Sequence, residues 1–395
     1  MVRAHRLSVP AALLLAAVQV APLVAQGAPN KEPKRPTLPA DRDSNNAADY
    51  YFYGMSVLIK QPEKASAAFY WSSRLDPTST PALYGQYVAQ LLSQPQTTLT
   101  TYLMGGRNAR KDPMLRRIDS LGYLALTKSP FLDRRIFGTV LATWMDRQTG
   151  GASDVRDLGM YDRRWTAWSA YARANFRMAA SVYAEQIQRH PEDTELRFML
   201  AMSYLSLGRP DSARFAVQEA LTLERSADQD TPWIGWSSHA YAEFGVGLLY
   251  EMVSQPDSAR AAFERALLDD VSFPPAHHHL ARMRLAAQDT AGALDEYRQA
   301  VTLSPSDAGY LCDLGMLLLT TGRTDSAAAV LRQAATLEPY YAFPHYPLGV
   351  VYEHSGFRQE AVEHYTTFLR LAPKSMAPAI IAARQRLAAL NAPAP

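Results

Sequence analysis

Three consecutive histidines, His277-His278-His279, are the strongest chemical feature of the chain. Clustered imidazoles can hold zinc or relay protons. Successive residues of a helix, however, point about 100° apart, so three neighbours cannot converge on one ion from a regular helix. The run contains no His-x-x-x-His pair, and the expectation is of packing or solvated histidines. His345 and His354 lie nine positions apart, again without ligand spacing. Cys312, the one cysteine, stands beside Leu311 and Leu314 in a stretch read as helix. It reads as a small buried hydrophobe, and no internal disulfide is available. Gly105-Gly106 lacks the Gly-Lys-Ser or Gly-Lys-Thr that completes a phosphate loop, and Asp307, Asp313 and Asp325 are scattered. No catalytic residue, cofactor site or metal site is expected. A hydrolase with its site between Thr80 and Gly159 stays as the enzymatic alternative, because residues distant in sequence can converge in space.

The elements that would position these residues are announced by internal similarity. Alanines recur at Ala179, Ala213, Ala259, Ala293, Ala327 and Ala361, with spacings of 34, 46, 34, 34 and 34. Four positions after each stand Tyr183, Val217, Phe263, Tyr297, Leu331 and Tyr365, on the same helix face as their alanine. Pro191, Pro305, Pro339 and Pro373 close several units at one phase, where proline discourages a preceding helix from continuing. In the first half of each unit Leu200, Val246, Leu280, Leu314 and Leu348 share a register. Each is followed by a small residue: Ala201, Gly247, Ala281, Gly315 or Gly349. Small side chains there let two helices approach closely. Gly208, Gly322 and Gly356 mark the turn between the halves.

These residues resemble the tetratricopeptide repeat family. Pro344 to Pro373 match best, through Leu348, Gly349, Tyr352, Gly356, Ala361, Tyr365 and Pro373. Six units start near Met160, Thr194, Ala240, Pro274, Ala308 and Ala342 and fill 160–375. Ala174 at a turn, and Arg225 and Val271 in place of proline, depart from the pattern. The resemblance implies an all-α, right-handed superhelical solenoid of stacked helix-turn-helix units, each burying its apolar side only against a neighbour. Residues 376–391 read as a capping helix.

The resemblance also implies where a partner binds. Family positions 2, 5, 9, 12 and 13 of each unit line the inner wall. Carried over, they nominate Tyr161, Arg164, Trp168 and Tyr171, then Phe198 and Met202, then Tyr241, Phe244, Leu248 and Glu251. Later units add His278 and Arg282, Met316, and finally Phe343, Tyr346, Glu353 and His354. Aromatic and charged side chains of this kind suit an extended peptide or a partner helix. The competing reading is that they pack against the next hairpin. The twelve extra residues of the long step include Thr231, Pro232, Trp233, Ile234, Gly235 and Trp236, either a partner-binding lip or a plug.

Residues 1–25 carry Arg3, His5 and Arg6 before an apolar run that ends in small residues, the order of an export signal. Exported, periplasmic placement is expected, with secretion as the alternative and no membrane anchor in the mature chain. Residues 26–45 are proline-rich and polar and read as an extended tether. Residues 46–159 form an N-terminal helical region. One unit there spans 46–79, with Ala65, Phe69 and Pro77 in phase, followed by degenerate repeats or a separate small domain. The 395 residues are 48% apolar, and 40 Lys and Arg balance 38 Asp and Glu. That balance gives nucleic acid no basic face. The expected function is a non-catalytic scaffold or adaptor for protein or peptide segments in the cell envelope. A structural subunit of a larger envelope complex is the alternative interaction reading.

Overall fold

A computed structural model describes residues 32–104, 112–132, 135–138, 140, 163–224 and 238–391. Among them every regular element is a helix. The expected signal at 1–25, Tyr161, Trp233 and Trp236 lie outside the described residues, and of Arg164 only the backbone is described.

Six helical pairs make up the repeat array. They are α6 Arg163–Ala172 with α7 Phe176–Arg189, α8 Thr194–Ser206 with α9 Pro210–Glu224, and α10 His239–Met252 with α11 Pro256–Asp269. The series continues with α12 Pro274–Ala286 and α13 Thr290–Leu303, α14 Ala308–Thr320 and α15 Thr324–Leu337, and α16 His345–His354 and α17 Arg358–Leu371. Each pair packs internally and then against the following pair, so the chain is a solenoid of stacked helix-turn-helix units.

The turn inside every pair has one backbone solution. Gly208, Gly322 and Gly356 have φ of 68, 76 and 78°, and Ala174, Ser254 and Gln288 hold the same phase with φ of 59, 56 and 64°. At the next residue a backbone N–H reaches five residues back, as from Arg323 to Leu318 O and from Asn175 to Ala170 O, at 2.9 and 2.8 Å. That pairing satisfies carbonyls left open at the helix end. The departure at Ala174 is therefore a change of residue without a change of conformation.

The alanines and their partners four residues on form the seam. Ala179, Ala213, Ala259, Ala293, Ala327 and Ala361 are all fully buried. A Cβ added at Gly349 would lie 2.5 Å from the ring of Tyr365, and one at Gly315 would lie 2.6 Å from Leu331 Cγ. The small position of the first helix thus receives the large side chain of the second.

The N-terminal region contains α1 Ala47–Val57, α2 Pro62–Leu75, α3 Thr80–Leu92, α4 Gln96–Met104 and α5 Pro113–Lys128. Here Phe69 of α2 lies between Gly54 of α1 and Gly85 of α3, whose added Cβ atoms would meet its ring at 2.9 and 2.7 Å. This is the same seam, extended by a full period. Residues 135–138 are helical, and Gly138 brings them against α6, where an added Cβ would sit 3.0 Å from Ala172 Cβ.

The expectation of a free tether over 26–45 is corrected for residues 32–45. They have no helix or strand, yet they are docked. Trp71 Nε1 donates to Pro33 O at 3.0 Å, and Leu38 packs against the cluster of Tyr50, Tyr70, Trp71 and Leu75. Proline-rich composition forbids regular structure but does not forbid docking, because aromatic faces and a well-placed N–H can hold an extended segment.

This docking also joins the two ends of the array. Asn45 Nδ2 donates to Arg370 O at 2.8 Å, and the backbone N–H of Lys374 donates to Asp43 Oδ2 at 2.7 Å. Arg74 pairs with Glu338 at 2.5 Å, and Lys128 pairs with Asp307. At the other end α18 Ala377–Asn391 covers α17. Arg386, which interrupts the apolar pattern of that helix, donates to Glu353 Oε2 at 2.8 Å, and Tyr365 OH donates to the same oxygen at 2.7 Å.

Candidate functional site

The nominated wall residues divide by burial. Tyr171, Phe198, Met202, Tyr241 and Phe244 are at most 4% exposed. Trp168, Leu248, Glu251, His278, Met316, Phe343, Tyr346 and Glu353 are half-buried, while Arg282 and His354 are exposed.

Two of the buried set are covered by the chain's own N-terminal region. Tyr241 OH donates to Leu126 O at 2.5 Å, and the ring of Phe198 stacks on Phe131 with centroids 6.3 Å apart. Nearby, Lys128 Nζ stands 5.1 Å from the centroid of Tyr310. The end of α5 and the turn after it therefore lie across the first helices of several repeats. The remaining buried nominees enter the core between hairpins. Phe244 meets Phe263 and Phe273 at 5.6 and 5.2 Å, and Tyr171 meets Phe176 at 5.5 Å. Among the half-buried nominees, Tyr346 packs on Tyr365 and Phe368, and Glu353 holds the capping helix.

The histidine run is resolved into three separate pairings. His277 Nδ1 meets Glu296 Oε2 at 2.7 Å within its own hairpin. His278 Nε2 meets Asp313 Oδ2 of the following hairpin at 2.6 Å. His279 Nδ1 meets Glu251 Oε2 of the preceding one at 3.0 Å. The fan of directions along the helix thus sends each imidazole to a different carboxylate, stitching three repeats together. Burial penalises charge on His277, but Glu296 and the Val271 carbonyl, each bonded to a ring nitrogen, raise its pKa above the ordinary histidine value. Burial dominates at His279, whose pKa is lowered despite Glu251. Among the described residues no group of three or more His, Cys, Asp or Glu is placed to hold a metal ion. Cys312 is buried, and burial pushes its thiol pKa well up.

Sequence reasoning missed a cavity of about 290 Å³ lined by Tyr51, Thr80, Pro81, Tyr84, Ser129, Phe131, Leu132 and Ile136. Its signal was present, because 46 plus one period of 34 begins the next unit at Thr80. Pro81 and Tyr84 are then its second and fifth residues, the same positions as the nominated wall. The third wall of the cavity, Ser129 to Leu132, comes from the turn after α5, whose course no periodicity reports.

Serial helical hairpins with this seam and this turn define an α-solenoid of stacked helix-turn-helix repeats. A tetratricopeptide repeat family model matches residues 166–230, 247–308 and 279–347 of the chain. Among curated proteins, the chain is 26% identical over 191 residues to a peroxisomal targeting signal receptor of Candida albicans, covering 47% of this chain and 31% of that one. It is 37% identical over 75 residues to a TPR repeat-containing protein of Pseudomonas aeruginosa, covering 19% of this chain and 30% of that one. The chain thus spans about a third of the length of the curated relatives it matches. Among solved structures, it is similar to YrrB, described as a TPR protein with an unusual peptide-binding site, at 23% identity and TM-score 0.41 over 52% of this chain and all of that one. It is also similar to MamA, at 19% identity and TM-score 0.38 over 44% of this chain and 94% of that one. No helix among the described residues is long and apolar enough to cross a membrane.

Proposed function

We propose that this protein is a non-catalytic scaffold that binds protein or peptide segments through the first-helix wall of its repeats, and that it works in the cell envelope after export. The observation that carries the binding role is the wall itself. It is a serial face on which Trp168, Leu248, His278, Met316 and Phe343 are half-buried and Arg282 is exposed. Such side chains offer apolar contact area beside charge that can fix register. The cavity at Pro81 and Tyr84 extends the same face towards the N-terminus. Export rests on the composition of residues 1–25.

A photo-crosslinking residue placed at Arg282 or Met316 in native cells should capture a defined set of chains. One placed at Glu264, exposed on a second helix, should not. Equal capture from both faces would defeat the wall as the binding surface. Fractionation of the tagged chain tests the compartment separately, and retention in the cytoplasm with residues 1–25 uncleaved would defeat export.

The structural-subunit reading draws on a different feature. Leu268 and Val271, at the end of α11, are 85% and 73% exposed, and Phe52 and Ile59 of the first hairpin are 57% and 68% exposed. Apolar side chains so placed suit permanent burial against a larger assembly. The hydrolase alternative has one polar cluster in the described part of its region. Tyr87 and Tyr102 hydroxyls lie 2.7 Å apart, and Tyr102 donates to Asp119 Oδ1 at 2.6 Å. Burial, together with Asp119, pushes the Tyr102 pKa well up, so that hydroxyl is a fixed donor in a packed hydrogen-bond chain.

A further inference from the structure

Residues 32–38 are held as a bound peptide would be. The Glu32 carboxylate accepts from Tyr340 OH at 3.0 Å and Tyr70 OH at 3.4 Å, and it faces Arg74 at 3.9 Å. One residue on, the Pro33 carbonyl accepts the Trp71 indole N–H. The Arg35 guanidinium then lies over two rings, 4.9 Å from the centroid of Trp71 and 5.2 Å from that of Tyr50, while its Nε donates to Tyr50 OH at 2.9 Å. Leu38 closes the run against the same aromatic cluster.

The segment brings no helix or strand of its own to these contacts. Its recognition rests on a carboxylate pocket, one main-chain carbonyl and a cation between rings. Each is a contact that an extended chain from another protein could make. Prolines on both sides of Lys34-Arg35 pre-set the extended form and reduce the entropy lost on docking. The cleft is assembled from both ends of the array, with Tyr50, Tyr70, Trp71 and Arg74 from the first hairpin and Tyr340 from the turn before the last.

We propose that this cleft is a peptide-recognition site, occupied in cis by residues 32–38. Its external ligand is an extended partner segment carrying a carboxylate three residues ahead of an arginine, with prolines beside them. Tethering gives the in-chain segment an effective concentration on the order of millimolar, so a partner must exceed that competition to enter. Apart from Tyr50, the site draws on a second helix and a turn rather than on first helices, and its failure would leave the nominated wall residues untouched.

The test uses the full chain and a labelled peptide of residues 30–40, followed by fluorescence anisotropy. Glu32→Ala with Arg35→Ala releases the strap while leaving every helix residue in place, with circular dichroism as the check on folding. The released chain should bind the peptide at least about tenfold more tightly than the unaltered chain does, since the cis competitor is gone. Adding Tyr340→Phe should weaken that binding about threefold to tenfold, as should removing the glutamate or the arginine from the peptide. Equal binding by released and unaltered chains, or binding indifferent to all three changes, would overturn the proposal. Strap exchange between two unaltered chains at high concentration, seen as dimers that free peptide does not dissolve, would also count against a partner segment. Should the released chain fail to fold, Tyr340→Phe alone in the unaltered chain should still speed amide exchange over residues 34, 35, 37 and 38 several-fold. Unchanged exchange there would likewise overturn it.

Discussion

The indole of Trp71 in the first hairpin meets the ring of Tyr340 edge to face, with centroids 4.8 Å apart. Beside them Arg74 pairs with Glu338 across the same junction. A solenoid held only by neighbouring units would leave these two regions separate, so the junction makes the array a closed body.

The first prediction concerns that ion pair. Burial pushes the Glu338 carboxyl up to about 7, although Arg74 opposes the shift. A carboxyl whose folded pKa lies above its unfolded one loses stability as pH rises from the unfolded value through the folded one. Arg74→Ala removes the opposing charge and should cost about 1–3 kcal/mol. The loss should be larger at pH 8 than at pH 5.5, as measured by denaturant unfolding at each pH. A pH-independent loss would mean that the pair carries no charge-dependent energy.

The second prediction follows from the shared turn. Ala174, Ser254 and Gln288 adopt the left-handed conformation that glycine adopts at Gly208, Gly322 and Gly356. A side chain there costs roughly 1 kcal/mol relative to glycine. Each change to glycine should therefore raise stability by about 0.5–1 kcal/mol, read as a higher thermal midpoint. A lower midpoint in all three would contradict the turn assignment.

The third prediction concerns the seam. Gly349→Ala places a methyl 2.5 Å from the Tyr365 ring, and the ring is fully buried with its hydroxyl tied to Glu353. Little room remains to relax, so the change should cost about 1–3 kcal/mol. The same change at Gly356, where an added Cβ meets nothing within 4 Å, should cost about 1 kcal/mol from backbone strain alone. Chemical denaturation of both variants separates crowding from strain.

Much of this fold was legible because its determinants repeat. Ala361, Tyr365 and Gly349 recur in phase with their counterparts, and each reports a contact inside one hairpin or between adjacent ones. The closure was not legible, because Trp71 with Tyr340 and Asn45 with Arg370 occur once each, between units far apart in the sequence. The wall was legible in part. Position within the unit identifies which residues face inward, but the burial of Phe198 and Tyr241 depends on Phe131 and Leu126, which come from a region of weak periodicity. Composition misled at residues 32–45, where polar and proline-rich sequence describes the segment alone and says nothing of the aromatic surface awaiting it.

The fourth prediction is acid sensitivity. Burial lowers the pKa of His345 from 6.5 to about 4, and nearby His364 and Arg370 act in the same direction. His345 is 8% exposed, its Nδ1 lies 3.1 Å from that of His364, and His364 is lowered as well. A histidine with a depressed folded pKa leaves the folded state binding fewer protons than the unfolded one, so stability falls as pH drops below 6.5 towards the folded value. His345 should account for about 2 kcal/mol of loss by pH 5. His277 opposes this trend, because its raised pKa stabilises the fold as pH falls. Replacing His345 with Gln should flatten the acid arm of stability against pH. An acid arm as steep as before would assign the loss elsewhere.

The closed array is tested most directly by the distance between its ends. Asp41 and Ser375 flank the hydrogen bond from Lys374 to Asp43 and are exposed. Spin labels on cysteines at these two positions, in a Cys312→Ser background, report their separation by pulsed electron resonance. Closure predicts one narrow population below about 30 Å, given two residues of reach on one side of the bond, one on the other, and the length of the labels. A broad distribution centred far beyond that distance would show that the N-terminal region is not seated on the last repeats.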